Sequence, residues 1–210
     1  MSRKGILTII SGFSGVGKGT LVQGLMNQYD GYALSVSATT RNPRDGEVDG
    51  VNYFFRTREE FEAMIGNGEL LEHAEYVNNY YGTPRAYVEG MLNDGKDVIL
   101  EIEIQGARQI KEKMPEAVSI FIMPPNAQTL RERLVGRGTE TAEVIDKRLK
   151  RAVEESEGIE EYDYILVNDV LSESVEKLHN IIQSNHNDSD RNLEFINKIR
   201  EDVKVFSEGE

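Results

Sequence analysis

The chain has 210 residues, 39% of them hydrophobic and 29% charged, with five prolines and no cysteine, which supports one substantial core and excludes disulfides, thiolate zinc sites and cysteine nucleophiles. A formal net charge of −13 argues against general nucleic-acid binding, because a duplex binder carries a basic footprint. The opening "MSRKGILTIISG" lacks a secretory apolar region and the apolar runs are strand-sized, so the expectation is a cytoplasmic chain with no export signal and no membrane span.

In chain order, "GILTIIS" (residues 5–11) reads as a buried parallel-type strand, and Leu21, Val22, Leu25 and Met26 place a helix over residues 18–29. Residues 32–38 form a second predicted strand. Residues 39–55 are turn-rich, with Pro43, Asp45-Gly46 and Asp49-Gly50, and lead to a short aromatic strand at 51–55. Thr57 with Glu60 three positions later is a helix-start signature, and Phe61, Met64 and Ile65 supply an apolar face. "ELLEHAEYVNNYYGTPRAYV" then predicts a ribbon and a helix from Pro84. Beyond it come a strand at 97–102, a helix after Gly106, a strand at 117–125 and a helix at 126–135. After the Gly136–Gly138 hinge, Ile145, Leu149, Ala152 and Val153 mark one face of a helix, followed by a last strand at 162–168 and a helix at 172–183. The expected fold class is α/β: a parallel five-stranded sheet flanked by helices, with a mixed α+β insertion at 39–93 and a short lid at 136–146. The core then comprises residues 1–38, 94–135 and 147–186. Leu193, Ile196 and Ile199 predict a helical extension within 187–210.

The chemistry concentrates in loops. "GFSGVGKGT" (Gly12, Phe13, Ser14, Gly15, Val16, Gly17, Lys18, Gly19, Thr20) follows a strand and opens a helix, the setting in which G-x-x-x-x-G-K is a phosphate-binding loop. Its amides and the helix N-terminus attract phosphate oxygens, and Lys18 can bridge the outer phosphates. Gly19 stands where the general motif has the metal-holding hydroxyl, which moves to Thr20. Basic residues cluster in two places: residues 1–58 and residues 131–151 each hold seven Lys/Arg against four Asp/Glu. Such patches suit a small anionic ligand, although charge alone is equally compatible with two solvated faces. Arg41 and Arg44, three apart in a turn-rich stretch, offer guanidinium forks for a second phosphate, and Tyr53 a phenolic donor. Glu101 and Glu103 alternate with Leu100, Ile102 and Ile104, which predicts that both carboxylates share one strand face.

Together "GFSGVGKGT", "SATTRNPRDGEVDGVNYFF", "ELLEHAEYVNNYYGTP", "ILEIEIQGA" and "LRERLVGRGTE", in this order, resemble the guanylate kinase family over about residues 5–184. The resemblance implies a P-loop core, a GMP-binding lobe at 39–93, and ATP with Mg2+ as the donor. Carried onto this sequence, the GMP phosphate contacts fall on Arg41, Arg44, Tyr53 and Tyr81, and the guanine pocket on Ser37, Glu72, Thr83 and Glu103. ATP falls on residues 12–20. The catalytic set is Lys18, Arg41, Arg133, Arg137 and Arg148, the last three as lid arginines. Residues 101–103 read Glu-Ile-Glu where many relatives have D-I-D; Glu101 is expected to orient the acceptor or a magnesium-bound water, as is Thr20, with no direct protein ligand to the metal. Lys147, Lys150 and Arg151 read as solvated decoration of the following helix. No histidine is assigned: His73 only adjoins Glu72.

The expected reaction is ATP + GMP ⇌ ADP + GDP, with dGMP as a second acceptor. The expected partners are these small molecules, with no nucleic acid or membrane, in a monomer or a homodimer. Two other readings stand beside it: a monophosphate kinase of different base specificity, and an inactive guanylate-kinase-like module that binds phosphopeptides.

Overall fold

In the computed structural model, residues 3–76, 78–136 and 142–206 are described. Strand β1 (Leu7–Gly12) is buried at every position, as its unbroken apolar run dictates, and it runs into α1 (Lys18–Gln28), which buries Leu21, Val22 and Leu25. Strand β2 (Tyr32–Leu34) lies at one edge of the main sheet. The predicted strand at 32–38 is therefore two strands: after Leu34 the chain leaves the sheet, and β3 (Ala38–Thr39) pairs elsewhere.

A second sheet follows. Strand β4 (Phe54–Phe55) runs parallel to β3; of the predicted 51–55 strand these two residues join the sheet, and Tyr53 makes an isolated bridge to Asp49. Helix α2 (Arg58–Gly66) opens with the expected capping box between Thr57 and Glu60. Strands β5 (Leu70–Tyr76) and β6 (Asn79–Pro84) form an antiparallel ribbon, giving the order β4-β3-β6-β5. A small core of Ala38, Phe61 and Leu70 holds this sheet to α2. Helix α3 (Arg85–Asn93) returns the chain to the main sheet.

There β7 (Asp97–Glu101) inserts between β2 and β1, and α4 (Ile104–Lys113) starts before Gly106 rather than after it. Strand β8 (Val118–Met123), α5 (Ala127–Gly136), α6 (Ala142–Glu155), β9 (Tyr164–Val167) and α7 (Leu171–Asn185) complete the core. The order is β2-β7-β1-β8-β9 and every pairing is parallel, the five-stranded sheet flanked by helices that the sequence predicts. On α6, Ile145, Leu149 and Ala152 pack against the core, whereas Val153, assigned to the same face, is 67% exposed.

Far from the carboxyl ends of the strands, Asp97 accepts from the Ile6 amide (2.8 Å), Gln183 (3.0 Å) and His186 Nε2 (2.8 Å). His179 stacks on Tyr29 and meets the Tyr32 hydroxyl at 2.8 Å, so two of the three histidines tie helices to the sheet. Helix α8 (Leu193–Asp202) buries no residue. Among the described residues no helix is long and apolar enough to cross a membrane.

Candidate active site

Because β7 and β8 flank β1 on opposite sides, the chain reverses its winding at β1, and a crevice opens at that strand's carboxyl end. Gly12 ends β1, and a Cβ there would stand 2.4 Å from the Ile122 carbonyl oxygen. Gly17 precedes α1 with φ 94°, where a Cβ would also lie 2.8 Å from Asn168 Nδ2. Phe13 and Val16 turn inward to the core, Phe13 meeting Phe121 edge-on, so these two offer the loop only their backbone. Lys18 folds over the loop and donates from Nζ to the carbonyls of Gly12 (2.6 Å) and Phe13 (3.3 Å). The Val16 carbonyl accepts from Asn168 Nδ2 (2.9 Å) and from an Arg133 guanidinium nitrogen (3.1 Å), which fixes the loop's peptide planes.

Gly19 and Thr20 form the exposed first turn of α1. A Cβ on Gly19 would lie 3.7 Å from Glu101 Oε2, so the glycine faces the carboxylate that ends β7. Crowding of Glu101 by its surroundings raises its carboxyl above the ordinary range; Lys18 opposes the shift and Glu103 adds to it. Among the described residues no group of three or more His, Cys, Asp or Glu could hold a metal ion. The oxygen groups beside Gly19 are thus Glu101 and Thr20.

Across the crevice, Arg41 is poised by Glu47, a residue the sequence reading passed over. Glu47 accepts from Arg41 Nη2 through Oε1 (2.9 Å) and from the Arg44 amide through Oε2 (2.7 Å). These hydrogen bonds hold the Glu47 carboxyl below its usual range. The Arg41 guanidinium lies 5.3 Å from the centre of the Tyr53 ring, and Tyr53 meets Tyr81 at 6.2 Å. Arg41, Tyr53 and Tyr81 therefore stand together, while the Arg44 side chain is exposed at the rim. Between this group and the phosphate loop is a cleft of about 370 Å³, whose walls include Lys18, Ser37, Tyr53, Thr83, Glu101 and Glu103.

Glu72 sits behind Thr83. It is 6% exposed, and Oε1 accepts from the Thr83 hydroxyl at 2.7 Å. Burial raises its carboxyl above the usual range; Thr83 and the Lys113 charge pull the other way. Helix α4 makes the room: a Cβ on Gly106 would lie 2.8 Å from Glu72 Oε2, so only a bare Cα admits the carboxylate. The helix is pinned in this position by Gln109, which exchanges hydrogen bonds with the His73 backbone (3.2 and 3.0 Å), and by Lys113, which donates to the Leu71 carbonyl (2.7 Å). "QGA" in the sequence was the available signal for Gly106; its partner was not legible there.

Two expectations need correction. Glu101 and Glu103 do not share a strand face, because β7 ends at Glu101 and Glu103 takes the position preceding α4 with φ −75°. The chain has to turn there, since Ser11 Oγ ties the Ile102 carbonyl to the end of β1 (2.8 Å). Arg151 is not solvated decoration: it bridges Glu103 Oε2 (3.0 Å) and Glu155 Oε1 (2.9 Å). Of the arginines expected in the lid, Arg133 reaches the Val16 carbonyl and Arg148 reaches Ser14 Oγ at 3.3 Å. Arg137 lies outside the described residues.

Comparison with known proteins agrees with this geometry. The family model "Guanylate kinase" matches residues 4–185. The chain is 52% identical over 205 residues to the guanylate kinase of Lactococcus lactis subsp. lactis, covering 98% of this chain and 100% of that one. It is equally 52% identical over 202 residues to that of Oceanobacillus iheyensis, covering 96% and 98%. Among solved structures, the guanylate kinase of Anaplasma phagocytophilum superposes with a TM-score of 0.67 at 36% identity, covering 87% of each chain. A family model that matches residues 4–185 and relatives 52% identical over nearly the whole length leave one conclusion: the chain belongs to the guanylate kinase family.

Proposed function

We propose that this guanylate kinase carries out ATP + GMP ⇌ ADP + GDP with the residues of the cleft in the following roles. Residues 12–20 cradle the ATP phosphates, with Lys18 on the transferring end. Arg41, Arg44, Tyr53 and Tyr81 hold the GMP phosphate, and residues 39–93 act as the GMP-binding lobe. Ser37, Glu72, Thr83 and Glu103 form the guanine pocket. Arg133, Arg137 and Arg148 neutralise the transferring phosphoryl group as residues 136–146 close as a lid. No general base is needed, because the acceptor phosphate is already anionic; orientation and charge screening carry the step.

Mg2+ fits a site with few protein donors, all of them oxygen, provided that the nucleotide phosphates and waters complete its shell. Glu101 and Thr20 would hold it through water, and bound with ATP it would supply charge neutralisation at the phosphates. Glu101 also screens nothing by itself: its carboxylate orients what Lys18 attracts. The assigned roles leave the ribose 2′-hydroxyl without a partner, so dGMP is a second acceptor.

The observation that carries the base assignment is the buried Glu72 carboxylate, with Thr83 on one oxygen and the bare Gly106 beside the other. Guanine offers N1–H and N2–H2 to such a carboxylate. Adenine presents an acceptor at N1 and no amino group at C2, leaving the charge unpaired, at a cost of about 1.5–3 kcal/mol, or roughly ten- to hundredfold in selectivity. A coupled ADP-release assay with MgATP and GMP, dGMP, AMP, CMP or UMP tests this. Turnover is expected with GMP and dGMP alone, and Glu72→Gln should lower kcat/KM for GMP at least tenfold. A preference for AMP would overturn the base assignment. Absence of turnover in folded protein would favour the phosphopeptide-binding module.

A further inference from the structure

Arg148, Arg151 and Glu155 are spaced to share one side of α6, and that side looks toward the phosphate loop. Arg148 donates to Ser14 Oγ at 3.3 Å. Glu155 is 8% exposed; its Oε2 accepts from the Ser14 amide at 3.4 Å and its Oε1 from Arg151 Nε at 2.9 Å. The other branch of Arg151 donates from Nη2 to Glu103 Oε2 at 3.0 Å. One guanidinium thus spans two carboxylates, one on its own helix and one at the entrance to α4. Burial and the Glu103 charge both push the Glu155 carboxyl above its usual range, and Arg151 counters them.

Helix α6 is also attached to the core by apolar contact, through Ile145, Leu149 and Ala152. Apolar contact is non-directional and lets a helix slide or roll by a fraction of a turn at little cost. A planar fork that joins a carboxylate of α6 to one at the entrance to α4 resists such motion, because its donors leave at set angles. The entrance of α4 is itself fixed, since its first turn carries Gly106 against Glu72.

We propose that Arg151 is a positioning residue for phosphoryl transfer: by clamping Glu155 to Glu103 it sets the rotation and height of α6, and so holds Arg148 over the phosphate loop. This rests on the reading of Arg148 as a phosphoryl-stabilising arginine. The clamp joins the ATP-side helix to the helix that walls the guanine pocket, so the two substrate sites share one reference point. A misplacement of about 1 Å at a charge-stabilising group can cost a hundredfold in rate.

The test is a double-mutant cycle on the single-turnover rate, with wild type, Arg148→Ala, Arg151→Ala and the double variant assayed at saturating MgATP and GMP, well below their melting temperatures. Arg151→Ala is expected to slow transfer about ten- to hundredfold while KM for each nucleotide changes less than about threefold. In the Arg148→Ala background the same substitution should cost less than about twofold, since a residue acting through Arg148 has nothing left to position. Arg151→Lys keeps the charge and loses the fork; it should hold the melting temperature and still lose the rate, and it replaces Arg151→Ala in the cycle if that variant does not fold. Independent, multiplying losses, or a wild-type rate for Arg151→Lys, would overturn the positioning role while leaving Arg148 intact. A wild-type rate for Arg148→Ala would instead remove the reading on which the inference rests.

Discussion

Glu72, proposed above to read the base, is a buried carboxylate that works against stability. Its carboxyl is raised by burial, so the folded state holds the proton more tightly than the unfolded chain does. Stability linked to this group is therefore highest below the ordinary carboxylate value and falls as pH rises through the raised folded value. Glu72→Gln removes the titration and keeps an oxygen for Thr83. Its melting temperature should exceed that of wild type at neutral pH, and the difference should shrink to nothing as pH falls below the ordinary carboxylate range. Thermal melts of both proteins across that range check this, and an advantage that grew on acidification would contradict it. Arg41 and Lys18 were legible in the sequence as chemistry, and Glu72 only through the family resemblance. Gly106, Asn168 and Arg151 were not, because each acts through a partner distant in sequence, 48 residues for Arg151 with Glu103 and 152 for Asn168 with Val16; Glu47 was passed over although its partner Arg41 is only 6 residues away.

At the scale of elements, local signals translated well wherever they were self-contained. The capping box of α2 is one: Glu60 N–H donates to Thr57 Oγ1 at 3.1 Å, and Thr57 N–H to Glu60 Oε2 at 2.8 Å. The helix it starts buries Phe61 fully, stacked on Tyr80. Thr57→Ala should cost about 1 kcal/mol, a fall of roughly 2–4 °C in Tm for a chain of this size, with kcat unchanged. Thermal melts and steady-state assays give both numbers, and a loss of activity without a loss of Tm would mean that Thr57 has a role at the site. Strand limits were less legible. The run at 32–38 has one composition but serves two sheets, and the break after Leu34 depends on which neighbours β7 and β6 offer. The start of α4 was missed by three residues for a similar reason: Gly106 looks like a helix breaker until the carboxylate beside it is seen.

For the whole molecule, the carboxyl ends of β1 and β7 bring the phosphate loop and Glu101 together beside the α6 clamp, and the 39–93 insertion carries Arg41, Tyr53 and Thr83 to the opposite wall. The C-terminal helix takes no part in this. Phe195 and Ile199 on α8, and Val203 just after it, are exposed, and no α8 residue lines the cleft. Removal of residues 193–210 should therefore leave kcat/KM within about twofold and lower Tm by no more than a few degrees, because little apolar area returns to water. A large loss of activity in the truncated protein would show that the extension serves the site. The sequence by itself determined the fold class, the strand–loop–helix cradle and the residue types for two phosphates, because periodicity, turn chemistry and the glycine spacing are local properties of the chain; the purine pocket came only through the family resemblance. Tertiary structure alone decided which charges are paired: that Glu103 leaves the strand for the mouth of α4, that Arg151 is a clamp and not a surface charge, and that Gly106 is the space Glu72 fills. Those outcomes depend on distances between segments far apart in the chain, which only packing of the two sheets against α4 and α6 sets.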